Sequence, residues 1–332
     1  MKKVVWGVLG CAKIAREKVI PAMQASQHCE IRAIASRSLE RAQATAADLN
    51  IPLAYGSYEA LLADPQIEAI YNPLPNDLHV PLTLLAARAG KHVLCEKPLA
   101  LDAQQAEQLR EVASRVHIME AFMVRFHPQW EQVRARMLAG ELGTVRAIQT
   151  WFSYNNQNPD NIRNHLDQGG GALYDIGCYA VVTARYLFGC EPQRAIALID
   201  RDPQFGTDRT ISALLDFGAG RQLTFTASTQ CVPHQRVQVV GDLKRIEVRI
   251  PFNPAAGKST EVLADNGSAL DGSGITVSTI PACDQYALQG DAFSRAIRTQ
   301  TPLPWGIDDA VANMRVIDAL FASEKTGAWV AL

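Results

Sequence analysis

Short apolar runs alternate with amphipathic stretches through the first third of the chain. The runs are Val4–Leu9, Ile31–Ala35, Ala69–Tyr71, His92–Cys95 and Val116–Met119. Between them Ile14–Ala25, Leu39–Leu49, Tyr58–Leu62, Leu78–Ala89 and Ala103–Ala113 carry apolar residues at helical spacing. Strands alternating with helices predict βαβ units and a doubly wound parallel sheet. Ser38 stands where the second helix needs an N-cap, and Gly90 where the fourth should stop.

Beyond residue 122 the pattern changes. Val145–Phe152, Arg194–Ile199, Thr210–Phe217, Gln222–Ser228, Val237–Val240 and Arg245–Val248 read as strands in close succession. Asp216-Phe217-Gly218-Ala219-Gly220 has the composition of a hairpin turn. A second, mainly antiparallel open sheet follows. Tyr174–Phe188, Tyr286–Arg298 and Asp308–Glu324 read as helices, and the polar stretch Asn253–Ser273 as a mobile loop or an edge hairpin. The division expected is an α/β domain over residues 1–122 and an α+β domain over 123–332.

Composition narrows the classes. With 332 residues, 48% hydrophobic and 20% charged, the chain is an ordinary globular protein long enough for two domains. A formal net charge of -2 and the lack of a basic block argue against nucleic acid as a partner. Seven scattered cysteines without a CxxC pair argue against a disulfide framework or a zinc site, and no metal is expected. Lys13 and Arg16 cut short the first apolar run, and no stretch reaches the roughly 20 residues of a membrane span. The reading is a cytoplasmic protein with no membrane partner.

The turn after the first strand reads Gly10-Cys11-Ala12-Lys13-Ile14-Ala15. Set on G-x-G-x-x-G, Gly10 takes the first glycine position, with small Ala12 and Ala15 at the other two. Such a turn lets backbone approach a pyrophosphate and aims a helix N-terminus at it. The second strand then ends in Ser36-Arg37-Ser38, without the acidic residue that would hold a ribose 2′-hydroxyl. Arg37, with Arg41 one helical turn on, offers guanidinium groups that can grip a 2′-phosphate. The cofactor predicted is NADP rather than NAD.

Further on come Tyr71-Asn72-Pro73-Leu74-Pro75-Asn76-Asp77-Leu78-His79 and Gly90-Lys91-His92-Val93-Leu94-Cys95-Glu96-Lys97-Pro98. Glu120-Ala121-Phe122-Met123-Val124-Arg125-Phe126-His127-Pro128 and Gly169-Gly170-Gly171-Ala172-Leu173-Tyr174-Asp175-Ile176-Gly177-Cys178-Tyr179 follow. On these residues the whole chain resembles the Gfo/Idh/MocA oxidoreductases, nearest to the glucose–fructose oxidoreductase, NADP-dependent xylose dehydrogenase and dimeric dihydrodiol dehydrogenase branches. The resemblance implies an N-terminal Rossmann domain and a C-terminal sheet often used for homo-oligomerisation. It also implies a Lys97–Pro98 peptide that is often cis.

Lys97 ends a parallel strand, where ligands of doubly wound sheets bind. Asp175 and Tyr179, four apart, share a helix face. Oxidising an alcohol requires a proton acceptor as hydride leaves carbon. A phenol, with an ordinary pKa of about 10, becomes one when an ammonium stands near it. Tyr179 is therefore the expected proton acceptor and donor, Lys97 the charge that assists it, and Asp175 the group that orients substrate hydroxyls or Lys97. Pro73, Leu74, Asn76, His79, Glu96 and Lys97 itself complete the expected cofactor set. Arg125, Phe126, Asn161, Arg163 and His165 are the expected substrate residues. The activity expected is NADP-linked hydride transfer with a sugar or polyol, aldopyranose oxidation at C1 first. The alternatives are reduction of a dicarbonyl or keto-sugar, oxidation of a trans-diol, and a non-catalytic NADP sensor.

Overall fold

The computed structural model describes residues 1–332. By its internal contacts the chain forms two units, Met1–Met123 with Gln285–Met314, and Val124–Asp284 with Arg315–Leu332.

The first unit holds a six-stranded parallel sheet in the order β3-β2-β1-β4-β5-β6. Its strands are β1 (Val4–Leu9), β2 (Cys29–Ala35), β3 (Leu53–Tyr55), β4 (Ala69–Asn72), β5 (His92–Cys95) and β6 (Ile118–Glu120). Every residue of β1 is buried, as expected of a central strand covered on both faces. β3 is absent from the apolar pattern because three residues are too few to show a period. Its parallel pairing with β2, Ala33 opposite Leu53, makes it an edge strand. The order reverses at β1, which lies between β2 and β4, so a ligand crevice opens beyond Leu9 and Asn72.

Helix Gln285–Thr299 departs from the expected division, since it packs on this first sheet. Trp6 and Phe293, both fully buried, lie 5.4 Å apart, and the indole N–H donates to Ser294 Oγ at 3.2 Å. A Cβ on Gly290 would stand 3.0 Å from Met23 Cγ, so glycine permits the close approach. Arg298 pairs with Glu68 at 2.6 Å. Burying a side chain such as Phe293 contributes about 1.5–3 kcal/mol. Helical periodicity shows that a helix has an apolar face, not which sheet covers it.

The second unit holds a nine-stranded sheet in the order β14-β13-β12-β11-β7-β10-β9-β8-β15. The strands are β7 (Val145–Asn155), β8 (Arg194–Arg201), β9 (Asp208–Asp216), β10 (Gln222–Ser228), β11 (Gln230–Gly241), β12 (Arg245–Val248), β13 (Thr260–Asp265), β14 (Ile275–Ile280) and β15 (Val330–Ala331). β10 runs parallel to β7, and the other neighbours pair antiparallel. The turn from β9 to β10 uses Gly218, Ala219 and Gly220, all at positive φ. The 253–273 stretch resolves in favour of the edge hairpin: β13 pairs with both β12 and β14, and its residues are mostly buried.

Alternation decides the two faces of this sheet. Ile148, Thr150 and Phe152 of β7 are buried, as are Leu223, Phe225 and Ala227 of β10. Their neighbours Gln149, Trp151, Thr224 and Thr226 line the opposite face. The buried face is covered by helix Cys178–Phe188, entered through a π turn at Leu173–Gly177 and ended by Gly189 in the left-handed region. No helix of the chain is long and apolar enough to cross a membrane.

Candidate active site

Gly10 makes the turn out of β1 at φ +79, and its N–H donates to Ala35 O at 2.7 Å. A Cβ there would lie 2.7 Å from Leu74 Cδ2, so both backbone and space demand glycine. Gly10→Ala is expected to cost about 1–2 kcal/mol of stability from the left-handed backbone alone. The displaced Leu74 should also weaken cofactor binding. Thermal melting and NADPH fluorescence titration check the two effects separately.

Around that turn the predicted cofactor residues fall into two groups. Ala12 and Ile14 are half-buried at the mouth of the helix, Lys13 is exposed 4.0 Å from Glu17, and Cys11 is buried with its thiol toward Arg41 O at 3.8 Å. Ser36 is buried, and its Oγ accepts the Ser38 N–H at 3.3 Å. Ser38 in turn caps helix Leu39–Asp48, its Oγ accepting from Arg41 N at 3.2 Å. Arg37 and Arg41 are exposed beyond the carboxyl end of β2, open to a bound anion. Tyr58 joins them, which the sequence did not show. Burial raises its phenol pKa, and the fields of Arg37 and Arg41 oppose that rise. Its hydroxyl would stand 3.8 Å from a Cβ on Gly10.

After β4, Pro73 and Leu74 are buried and Asn76 is half-buried. His79, expected to face the cofactor, does not. It is fully buried, with Nδ1 2.7 Å from Pro98 O and Nε2 2.7 Å from Leu74 O. Burial drives its pKa down to about 4, opposed by the two carbonyls. A neutral ring carries one N–H and so donates to one of these carbonyls at a time, packed between the turn after β4 and the backbone just after Lys97. A polar residue following a strand end was mistaken for a crevice residue because its partners are main-chain carbonyls.

The Lys97–Pro98 peptide is cis. Glu96 takes the Tyr71 hydroxyl at 2.7 Å on one oxygen and the Lys97 N–H at 3.3 Å on the other. Burial and the Glu96 charge hold the Tyr71 phenol well above its ordinary pKa, so it stays a donor. Glu120, buried, accepts the Leu99 N–H at 2.8 Å. The backbone on either side of Lys97 is therefore fixed by two carboxylates.

In the second unit the Gly169-Gly170-Gly171 turn leads into the helix that carries Asp175 and Tyr179. Gly169 and Gly171 have positive φ, and a Cβ on Gly170 would meet Arg163 O at 2.4 Å. Asp175 is gripped by Arg163 Nε at 2.9 Å and by the Tyr154 hydroxyl at 2.6 Å. Burial and the Asp175 charge raise the Tyr154 pKa, which keeps its proton in place as a donor. Tyr179 is 5% exposed, its ring 5.8 Å from Phe152 and 5.2 Å from Phe252. Of the predicted substrate residues, the structure brings Arg163 to Asp175. Asn161 caps the local turn by accepting Arg163 N–H at 3.1 Å, and His165 Nε2 lies 2.8 Å from Pro159 O. Arg125 is buried and Phe126 half-buried.

Two family models match the chain: the Gfo/Idh/MocA oxidoreductase family with an NAD-binding Rossmann fold over residues 4–125, and the Gfo/Idh/MocA C-terminal domain over residues 130–247. The chain belongs to the Gfo/Idh/MocA oxidoreductases. An oxidoreductase of Rhizobium meliloti is 45% identical over 99% of both chains. The D-xylose 1-dehydrogenase (NADP(+)) 2 of Haloferax volcanii is 40% identical over 99% of this chain and 100% of its own. A 3-ketoreductase from Actinomadura kijaniata, solved in complex with NADP and TDP-benzene, superposes with a TM-score of 0.90 at 31% identity. That match covers 97% of this chain and 98% of the reductase. In this Gfo/Idh/MocA oxidoreductase, Tyr71 and Tyr154 donate to Glu96 and Asp175, and Tyr58 lies beside Gly10. Sequence reasoning missed all three, because these neighbours are distant in sequence or set by packing.

Proposed function

We propose that this oxidoreductase moves a hydride between NADP and a sugar or polyol, with oxidation of an aldopyranose at C1 as the preferred reaction. NADP supplies or accepts the hydride when bound. Gly10, Cys11, Ala12, Lys13, Ile14 and Ser36 would cradle it, with Arg37 and Arg41 on the 2′-phosphate. Pro73, Leu74, Asn76, Glu96 and Lys97 would line its inner side, and His79 would brace that wall from behind.

The observation that carries the reading is the Asp175 carboxylate, held by Arg163 and Tyr154 on the helix that also carries Tyr179. Arg163 and Tyr154 fix the orientation of that carboxylate, which is what a group that orients a substrate hydroxyl requires. Tyr179 takes the hydroxyl proton in oxidation and returns it in reduction. Lys97 stabilises the charge that develops on the substrate oxygen. Arg125, Phe126, Asn161 and His165 are assigned to the substrate side with Arg163.

A panel of aldoses, polyols, diols and dicarbonyls, run with NADP(H) and NAD(H) side by side, tests this. Reduction of NADP by an aldose supports the reading. NADPH consumption only with keto-sugars or dicarbonyls would keep the site and reverse the direction, the second reading favoured by similarity to the ketoreductase. Cofactor binding with no turnover anywhere would leave a sensor.

We also propose that the open face of the nine-stranded sheet joins copies of this chain. Ile196, Leu198, Leu214 and Trp151 line a concavity of about 970 Å³ there, with Leu198 77% and Trp151 41% exposed. Contiguous apolar surface of this kind marks an interaction site. Leu198→Glu places a charge on it and is expected to lower the mass seen by light scattering to that of one chain, with the melting temperature of each unit retained. An unchanged mass would remove this face from the assembly.

A further inference from the structure

Beneath the Gly169-Gly170-Gly171 turn lies a carboxylate that the proposed reaction does not use. Asp208, the first residue of β9, is 1% exposed. Its Oδ2 accepts the Leu173 N–H at 2.6 Å, at the first residue of the helical stretch that presents Asp175 and Tyr179. Its Oδ1 fills the space beside Gly171 so closely that a Cβ there would sit 1.8 Å away. From the other side the same turn is held by main-chain bonds, Gly171 N–H to Arg163 O and Gly170 N–H to His165 O, both 2.9 Å. Asp175 N–H then donates to Gly171 O at 3.1 Å. The turn is clasped between the substrate loop and Asp208, and the backbone of Asp175 hangs directly on it.

We propose that Asp208 is a positioning residue for the Tyr179 reaction: its carboxylate, seated under Gly171 and on the Leu173 N–H, fixes the start of the helix and thereby the placement of Asp175 and Tyr179. The inference rests on the roles assigned above to Asp175 and Tyr179. A negative charge at a helix N-terminus is favoured by the unpaired N–H groups there. An apolar residue would fill a buried strand position at lower desolvation cost than an acid does.

The charged and titratable groups around Asp208 come from each element packed on it. Arg201 of β8 stands opposite it in the sheet and lowers its pKa, while Glu324 of helix Ile307–Thr326, itself bound to Arg201 at 2.6 Å, raises it. Tyr154 of β7, the donor to Asp175, lies within reach of its field. Burial dominates and raises the Asp208 pKa to about 7, against the pull of the Leu173 N–H, its own backbone and Arg201. The carboxylate therefore protonates as pH falls through neutrality, and its grip on the helix start weakens on the acid side.

Asp208→Asn is the test, made alone and in the Tyr179→Phe background. The expected result is a fall in kcat of about tenfold, of the size that small misplacement of a reacting group produces, with NADPH affinity within about twofold of the parent. The wild-type kcat should rise through neutral pH in a step that the Asn variant lacks. In the Tyr179→Phe background Asp208→Asn should cost much less than in the parent, because only Asp175 is left to position. Should the Asn variant not fold, Asp208→Glu keeps the charge and shifts it by one methylene. It is expected to lower kcat while retaining NADPH binding and the pH step. A wild-type kcat and pH profile in either folded variant, beside an inactive Tyr179→Phe, would overturn the proposal while leaving the reaction assignment intact. Full activity in Tyr179→Phe would overturn both.

Discussion

Tyr179→Phe is expected to lower kcat by roughly a hundred- to ten-thousand-fold, the usual contribution of a positioned acid–base group. The substitution removes one oxygen and keeps the ring. Tyr179 packs against Phe152 and Phe252, so phenylalanine fills the same space and the melting temperature should hold. NADPH affinity should hold as well, because the assigned cofactor contacts lie on other residues. Lys97→Met is expected to lose turnover likewise, with NADPH still bound by the remaining cofactor residues and weakened only by the loss of this one contact. Combining the two should cost little more than either alone, since groups that serve one proton transfer are not additive. Steady-state kinetics with NADPH fluorescence titration separate these outcomes. A loss of cofactor binding in Tyr179→Phe would make the residue structural instead.

The second large effect concerns cofactor choice. Replacing both Arg37 and Arg41 by Ala is expected to raise the KM for NADP by about 10- to 100-fold and to leave that for NAD within about twofold. Hydrogen bonds to a charged group contribute about 1.5–3 kcal/mol each. Both guanidinium groups face solvent, which screens them, so the combined figure is set well below the sum. Tenfold in affinity corresponds to about 1.4 kcal/mol. Salt should weaken NADP binding in the parent and have less effect in the variant. Equal losses with both dinucleotides would place the arginines elsewhere than on the 2′-phosphate.

What could be read in the sequence was whatever depends on local order along the chain. Gly10, Arg37 and Lys97 stand at strand ends, and apolar runs locate strand ends. Asp175 and Tyr179 share a helix, so their spacing alone joins them. What could not be read depends on contacts between distant segments. Tyr154 lies 21 residues from the Asp175 it donates to, and Asp208 lies 35 residues from the Leu173 N–H it accepts. A single sequence carries no signal for such pairs. His79 shows a different failure: a polar side chain near a predicted crevice reads as a ligand contact, yet burial and two main-chain carbonyls claim it. The helix Gln285–Thr299 shows a third, because an amphipathic face fits any complementary sheet and only Trp6, Met23 and Cys29 reveal which one it meets. β3 was too short to carry a period, and the 260–280 hairpin hid because its strands do not alternate: β13 is almost wholly buried and β14 largely exposed.

Isotope transfer tests the central claim most directly. The enzyme is incubated with NADP and an aldose deuterated at C1, and the mass of the reduced cofactor is measured. Hydride transfer from the sugar predicts one deuterium in NADPH, formed by the parent enzyme and far more slowly by Tyr179→Phe. Reduced cofactor without deuterium, or no transfer from any aldose, polyol or diol so labelled, would contradict it.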